Sequence, residues 1–271
     1  MIRYTKAKKI LIKSKIKIKN ELIESSKSLN RINASDIYSP VNYPAGTNAA
    51  FDGFAINSKE TKNLNKNNTQ NFKILKTISA GDNPKLSKVK KFDAVEVMTG
   101  ALIPKFFDTV VPIEKIIFYP NNKVKKYITI SKKIKKNQHI RYVGSDYKKK
   151  DLIIKKGTII QASQVMAFKT LGIKNIKVKK KPNILFFSTG NEISNNIKIH
   201  NWKVRNSNSH YIKSLSNNFL FNFIDGGILR DKDEKIFKKK IETSIRSKID
   251  IIITSGAVSA GKHDFVPTVV K

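Results

Sequence analysis

The chain has 271 residues, enough for one large domain or two to three smaller ones with cores of their own. Hydrophobic residues make up 39% and recur along the whole length, as in a globular chain, and the lack of cysteine excludes disulfides, thiolate zinc sites and cysteine nucleophiles. The net charge of +34 raises the question of nucleic acid, but lysine is scattered through KKFD, SKKIKKN, KKKDLIIKKG and VKKKPN without forming one basic stripe, so nucleic acid is not the expected partner.

Taken in chain order, residues 4–30 are rich in helix formers and predict one or two helices, with the alternating run KIKIK open to a strand reading. The start, MIRYTKAKKILIKSK, lacks the apolar core and cleavage site of a signal peptide, and no apolar stretch approaches the roughly 18 residues that span a bilayer. A cytoplasmic, membrane-free protein is expected. DIYSPVNYPAGTNAAFDG leads through a short strand into turns. From about residue 70 to 145 the segments FKILKTI, AVEVMTG, TVVPIEKIIFY and KYITISKKI read as strands between Gly, Pro and Asn turns. After residue 178 the rhythm changes. NILFF reads as a strand buried on both faces, and NSNSHYIKSLSNNFL as a helix with Ile212, Leu215 and Phe219 on one side. NFIDGGIL is a second strand, DKDEKIFKKKIETSIRS a helix presenting Phe237, Ile241 and Ile245, and IDIIIT a third strand. Alternation of this kind predicts a parallel sheet with crossover helices, whose ligands sit beyond the carboxyl ends of the strands.

Two small-residue loops fall at such ends. In STGNE, Ser188, Thr189 and Gly190 let backbone N–H groups approach an anion, and Glu192 can hold a hard cation; a plain turn is the competing reading. SGAVSAGKHD, with Ser255, Gly256, Ser259, Gly261 and Asp264, suits a phosphate cradle better than a packing element. Asn206, Ser207 and Asn208 either cap a helix or present donors at its N-terminus. Asp231 and Asp233 either cap the next helix or serve the site. In the front half, Asp52 is open to a role as metal ligand or base, and Thr99 with Gly100 to oxyanion binding, each against a simple turn. Arg141 and Asp146 are open to a structural ion pair. No two of the four histidines have the i, i+4 spacing of a helical zinc site.

In order, these motifs resemble the molybdopterin molybdotransferases, the family of bacterial MoeA and the gephyrin E domain. NAAFDGFA resembles the family's Asn-Ser-Ala-Met-Asp-Gly-Tyr-Ala signature, and EVMTGALIPKFFDTVVPIE its Met-Thr-Gly-Ala segment. IRYVGSD, KKGTII, LGI, STGNE, RNSNS, GILRD and TSGAVSAGKHDF follow in the family's order, so the resemblance covers nearly the whole chain. It implies an α+β multidomain fold with a β-rich inserted domain and a three-layer, MogA-like α/β domain. The implied boundaries are an N-terminal helical segment at 1–25, a linker domain at 26–44 and 145–178, the inserted domain at 45–144, and the molybdopterin-binding domain at 179–271, incomplete at its C-terminus.

The implied activity is Mg²⁺-dependent insertion of molybdate into adenylylated molybdopterin with release of AMP, by a homodimer. Asp52, Thr99, Glu192 and Asp231 match catalytic positions, and Glu192, Asp231 and Asp146 match metal positions. Ser188, Thr189, Gly190, Asn206, Ser207, Asn208, Ser255, Gly256, Ser259, Gly261 and Asp264 match substrate-binding positions. Departures are Thr47 for an acid, Phe51 for Met, Phe106–Phe107 for Gly-Ala, and Ala257 for a glycine, which must take negative φ or accept strain. The family's later Arg-Pro-Gly-Lys-Pro and Pro-Gly-Asn-Pro loops and small β-domain do not occur, which reads as a C-terminally shortened form with IDIIIT at an open edge. The alternative function is a non-catalytic scaffold or binding protein on the same fold; a basic nucleic-acid binder is a third.

Overall fold

β-Branched and aromatic runs bounded by Gly, Pro and Asn become strands because their side chains fit a pleated surface while the breakers turn the chain. The computed structural model describes residues 2–14, 16–218, 221–258 and 264–270. The chain divides into two units, one of Met1–Ile37 with Ile154–Lys271 and one of Tyr38–Ile153.

The first unit begins with helix α1 (Tyr4–Lys13) and strand β1 (Asn20–Glu24). The helical reading of 4–30 therefore holds only for its first third. In β1 two neighbouring positions run against hydropathy: Leu22 is 67% exposed, while Glu21 turns inward to the Arg31 guanidinium.

In the second unit six strands form one sheet: β2 (Gly53–Ile56), β3 (Gln70–Ile78), β4 (Asp93–Val97), β5 (Thr109–Pro112), β6 (Ile117–Pro120) and β7 (Lys125–Ile130). Their order is β5-β2-β4-β3-β7-β6, with only β3 and β4 parallel. Alternation feeds two cores. Ala55, Val95, Val97 and Val110 face one with Phe107, whereas Phe54, Ile56, Phe72, Val111 and Ile128 face the other. Burying a side chain such as Phe54 contributes about 1.5–3 kcal/mol. Gly53 has no alternative, because a Cβ there would stand 2.1 Å from the carbonyl oxygen of Val111 on β5.

The first unit resumes with helix α2 (Ala162–Thr170) and strand β8 (Asn175–Lys179), which pairs antiparallel with β1. Then come β9 (Asn183–Thr189), α3 (Ser207–Asn218), β10 (Asn222–Leu229), α4 (Glu234–Arg246) and β11 (Ile251–Thr254). The parallel sheet has the order β10-β9-β11. The chain steps from β9 to one side and doubles back across it, so right-handed crossovers put α3 and α4 on opposite faces. The strand buried on both faces is β9, as its continuous apolar run predicts. Leu185, Phe187, Leu229 and Phe237 share one core cluster.

β10 carries a bulge. Phe186 pairs with Asp225 but Ser188 pairs with Ile228, so one extra residue is accommodated at Gly226–Gly227. A Cβ on Gly226 would lie 2.3 Å from the Phe187 ring, and Gly227 adopts φ +84°. On α4, Phe237 is buried and Ile241 packs on the cluster, but Ile245 is 77% exposed, contrary to expectation. Each i+4 step drifts about 40° around a helix of 3.6 residues per turn, and Ser244 takes the inward position instead. β11 is half-buried at all four positions and pairs only with β9 among the described residues, in line with the expected edge. No helix among the described residues is long and apolar enough to cross a membrane.

Candidate functional site

The carboxyl end of β9 is where the strand order reverses, the position at which open α/β sheets leave a crevice. Ser188 and Thr189 end that strand. The Ser188 hydroxyl donates to Asn206 Oδ1 at 2.6 Å, and Asn206 Nδ2 donates to Asn195 Oδ1 at 2.9 Å. Both Ser188 and Asn206 are buried, so this pair knits the strand end to the start of α3. Neither capping nor an outward donor describes the Asn206 side chain. Ser207 and Asn208 open α3 and are exposed.

Thr189 differs. It is 7% exposed, and its hydroxyl has no hydrogen-bond partner among the described residues. A buried hydroxyl left without a partner costs about 1–3 kcal/mol, so such groups are expected where a ligand or water completes them. The loop after β11 closes around it. The Thr189 N–H donates to Ser255 Oγ at 3.3 Å, and a Cβ on Gly256 would stand 2.7 Å from Thr189 Oγ1. Gly256 is therefore a close-approach glycine. Ala257, one residue on, adopts φ +59°, so of the two options its sequence left open it takes the left-handed strain, about 1–2 kcal/mol. Ser259 and Gly261 lie outside the described residues. Asp264 is half-buried and precedes Phe265, which anchors the segment in the core cluster.

Gly190 adopts φ +137°, and the Glu192 carboxylate folds back over it, within 2.4–2.5 Å of where a Cβ would be. Asn191 bridges to the end of β10: its Nδ2 donates to Asp231 Oδ2 at 2.7 Å, and the Asp231 N–H donates back at 3.3 Å. Asp231 thus joins the loop of Glu192. Asp233 sits at the N-cap of α4 without a side-chain capping bond, accepting from the Arg230 N–H at 2.7 Å. Arg230 itself was not visible from sequence as a functional residue. Its Nη1 donates to the carbonyls of Gly190, Asn191 and Ile193 at 2.9, 3.0 and 2.7 Å. Lys203 adds a bond from Nζ to the Asn191 carbonyl at 2.6 Å. The available signals were the Gly-Gly interruption of a strand and an arginine just beyond that strand's end.

The β-rich unit holds the remaining predicted residues. Thr99 clamps Asp52: its N–H donates to Oδ1 at 2.6 Å and its hydroxyl to the same oxygen at 2.8 Å. The backbone N–H first, and the hydroxyl second, hold the Asp52 carboxyl below its usual range. Thr99 and Gly100 line a cleft of about 600 Å³ together with Arg141 and Asn48, whose buried Oδ1 has no partner among the described residues. Asp146 is ion-paired with Arg141, as the structural reading anticipated. A larger cleft of about 720 Å³ in this unit is mostly apolar and contains none of the predicted site residues. Phe106 and Phe107 both line it, and Phe107 also packs into the core, so the bulk that this chain carries before Asp108 forms a wall of the cleft.

The predicted residues thus form two groups on separate units, Asp52–Thr99 and the Ser188–Glu192 loop with Asp231. Among the described residues no cluster of three or more carboxylates or histidines is able to hold a metal by itself. Two carboxylates beside one loop, Glu192 and Asp231, still fit a Mg²⁺ ion that takes its other ligands from water and substrate phosphate, its usual manner of binding.

Residues 2–172 match the family described as MoeA N-terminal region (domain I and II), and residues 186–271 match the probable molybdopterin binding domain. The chain is 34% identical to the molybdopterin molybdenumtransferase of Staphylococcus aureus (strain Mu50), over 90% of this chain and 57% of that protein. With the Staphylococcus epidermidis protein of the same name (strain RP62A) it shares 29% identity, over 100% of this chain and 63% of the relative. It superposes on two crystal structures of the molybdopterin biosynthesis MoeA protein from Pyrococcus horikoshii. The TM-scores are 0.84 and 0.83 at 27% and 28% identity, covering 100% and 94% of this chain and 66% and 67% of those chains. The chain therefore spans roughly three fifths of the length of the curated relatives it matches.

Proposed function

We propose, for a chain that belongs to the MoeA family, that it provides the pterin-side machinery for inserting molybdate into adenylylated molybdopterin with release of AMP. The observation that carries the reading is the end of β9, where an unpartnered buried Thr189 hydroxyl, the close-approach Gly256 and the Glu192–Asn191–Asp231 cluster meet. Breaking a phosphoanhydride calls for oriented donors and neutralised charge more than for a protein nucleophile. Glu192 and Asp231 would hold Mg²⁺, which supplies that neutralisation when bound. Ser255 and Gly256 would line the pterin phosphate. Ser188 and Asn206 would hold the strand end rigid behind the substrate. Asp52, Thr99 and Asp146 would act from the β-rich unit of a second copy in a homodimer. The scattered positive charge raises the encounter rate with molybdate and the pterin nucleotide, both anions.

The test supplies Mg²⁺, molybdate and adenylylated molybdopterin to two proteins. One is this chain; the other is this chain fused to the C-terminal part of the S. aureus relative that it does not span. AMP release that falls at least about 100-fold on Asp52→Ala or Glu192→Ala is expected. No release from either protein overturns the reading, and release indifferent to both substitutions points to a scaffold that keeps the fold without this chemistry.

A further inference from the structure

We infer that Arg230 is a positioning residue that turns the backbone of the loop after β9 into a cradle of N–H donors for a phosphate-type oxyanion. The inference deepens the function proposed above and rests on it for the identity of the substrate. A peptide unit carries its C=O and the next residue's N–H on opposite sides. Arg230 grips the carbonyls of Gly190 and Asn191, so the N–H groups of Asn191 and Glu192, at the far ends of those two units, are aimed away from it. Every carbonyl along this stretch is occupied. Beyond the three that Arg230 holds, Glu192 O accepts from Val204 N at 2.9 Å and Ser194 O from Asn206 N at 2.8 Å. Lys203 holds the Asn191 carbonyl a second time. By contrast, the N–H groups of Asn191 and Glu192 have no acceptor among the described residues.

Two successive free N–H groups backed by a guanidinium make an anion-binding concavity. The buried Thr189 hydroxyl, one residue before Gly190 and beside Gly256, is a second donor at the same strand end without a partner among the described residues. With its carbonyls already bonded, the backbone of the loop presents N–H donors, which favours a ligand rich in acceptors. Glu192 and Asp231 oppose a bare anion, so the cradle selects a phosphate that arrives with its own cation. Register delivers Arg230 to this task. The bulge in β10 sets Thr189 opposite Leu229, and the Gly190 N–H closes on the Leu229 carbonyl at 3.0 Å, leaving the next side chain beneath the loop.

The test follows the backbone ¹⁵N–¹H signals of Asn191 and Glu192 while magnesium pyrophosphate is added, with magnesium chloride alone as the control. In the unsubstituted chain both signals shift saturably with the pyrophosphate and not with the control. Arg230→Met abolishes the saturable shift. Arg230→Lys keeps the charge, but its shorter side chain stops short of the point from which Nη1 meets all three carbonyls, and it binds about 10-fold more weakly. Should Arg230→Met lose its folded spectrum, the Arg230→Lys titration decides. Unchanged affinity in the lysine variant, or silent Asn191 and Glu192 signals in the unsubstituted chain, overturns the inference. Lack of AMP release with these Arg230-dependent shifts intact would sink the proposed reaction and leave the cradle standing.

Discussion

The corner at Asp52 and the loop at Glu192 are built from similar residues, an acid and small polar neighbours beside glycine, yet they distribute their hydrogen bonds in opposite ways. At Asp52 the protein supplies the donors itself: Thr99 gives both its N–H and its hydroxyl to one carboxylate oxygen. At Glu192 the protein occupies the acceptors and leaves donors unmatched, through Arg230 and the lone Thr189 hydroxyl. At the first corner the acid is met by the protein's own donors. At the second, under the proposal above, a ligand would meet the unmatched donors. The difference follows from the platforms beneath. The β-rich sheet buries both faces, so its corner is fixed by packing, whereas β9 ends where the strand order reverses, a place at which neighbouring strands diverge.

The comparison breaks first at Gly53. A Cβ there meets backbone, not a side chain that can swing aside, so Gly53→Val must part β2 from β5 and release Asp52 with them. A loss of at least about 4 kcal/mol is expected, measured by urea unfolding with far-ultraviolet circular dichroism. Retained stability would show that the corner does not depend on its sheet. In the other unit, Phe187→Ala removes the ring on which Leu229, Phe237 and the Gly226 backbone rest. The expected cost is about 3 kcal/mol, at the low end for Phe→Ala because Ile252 and Val266 beside it are only partly buried.

Acid titration sharpens the contrast within the β-rich unit. The folded-state pKa of Asp52 is depressed, so its contribution to stability is present above the usual carboxylate range and lost as pH falls through the folded value. Glu60 is shifted the other way, upward, by burial first, against the N–H of Phe92 that donates to it. Its contribution is complete below the usual range and lost as pH rises through the folded value. Asp52→Asn should therefore matter at neutral pH and vanish in acid, and Glu60→Gln should raise stability at neutral pH with no effect in acid. Carboxyl chemical shifts followed against pH check both; two curves displaced to the same side would contradict the hydrogen-bond geometry. The smallest effect is Ala257→Gly. It relieves the left-handed strain but adds freedom to the unfolded chain, for a net gain of about 0.5 kcal/mol in the same urea assay.

Most of the sheet architecture was legible because burial wrote it into composition. ILFF has no polar residue to spare for a solvent face, and the strands of the β-rich unit feed two cores. What misled were places where an interaction outweighed hydropathy. Glu21 points inward because Arg31 awaits it, so NELIE does not look like a strand. Ile245 has the spacing of a core residue, but the rotation of the helix carries it out to solvent. At the site, the small residues and acids were visible as a pattern. Their division into occupied and unmatched groups was not, since it depends on Arg230, whose neighbours in sequence give no hint of the carbonyls it holds.

The bulge in β10 also makes that strand change its allegiance partway along. Phe223 lies beside Phe186, whereas Leu229 belongs with Phe187, on the opposite side of the sheet. Six residues apart on an uninterrupted strand, the two would share a side; the extra residue between them makes the parity odd. Deleting Gly226 would leave a strand of good composition able to pair with β9, yet it would return Leu229 to the side of Phe223 and turn Arg230 away from the loop. For this strand, the number of residues between its two halves carries as much information as their identity, and a one-codon deletion would be a more damaging change than most substitutions within it.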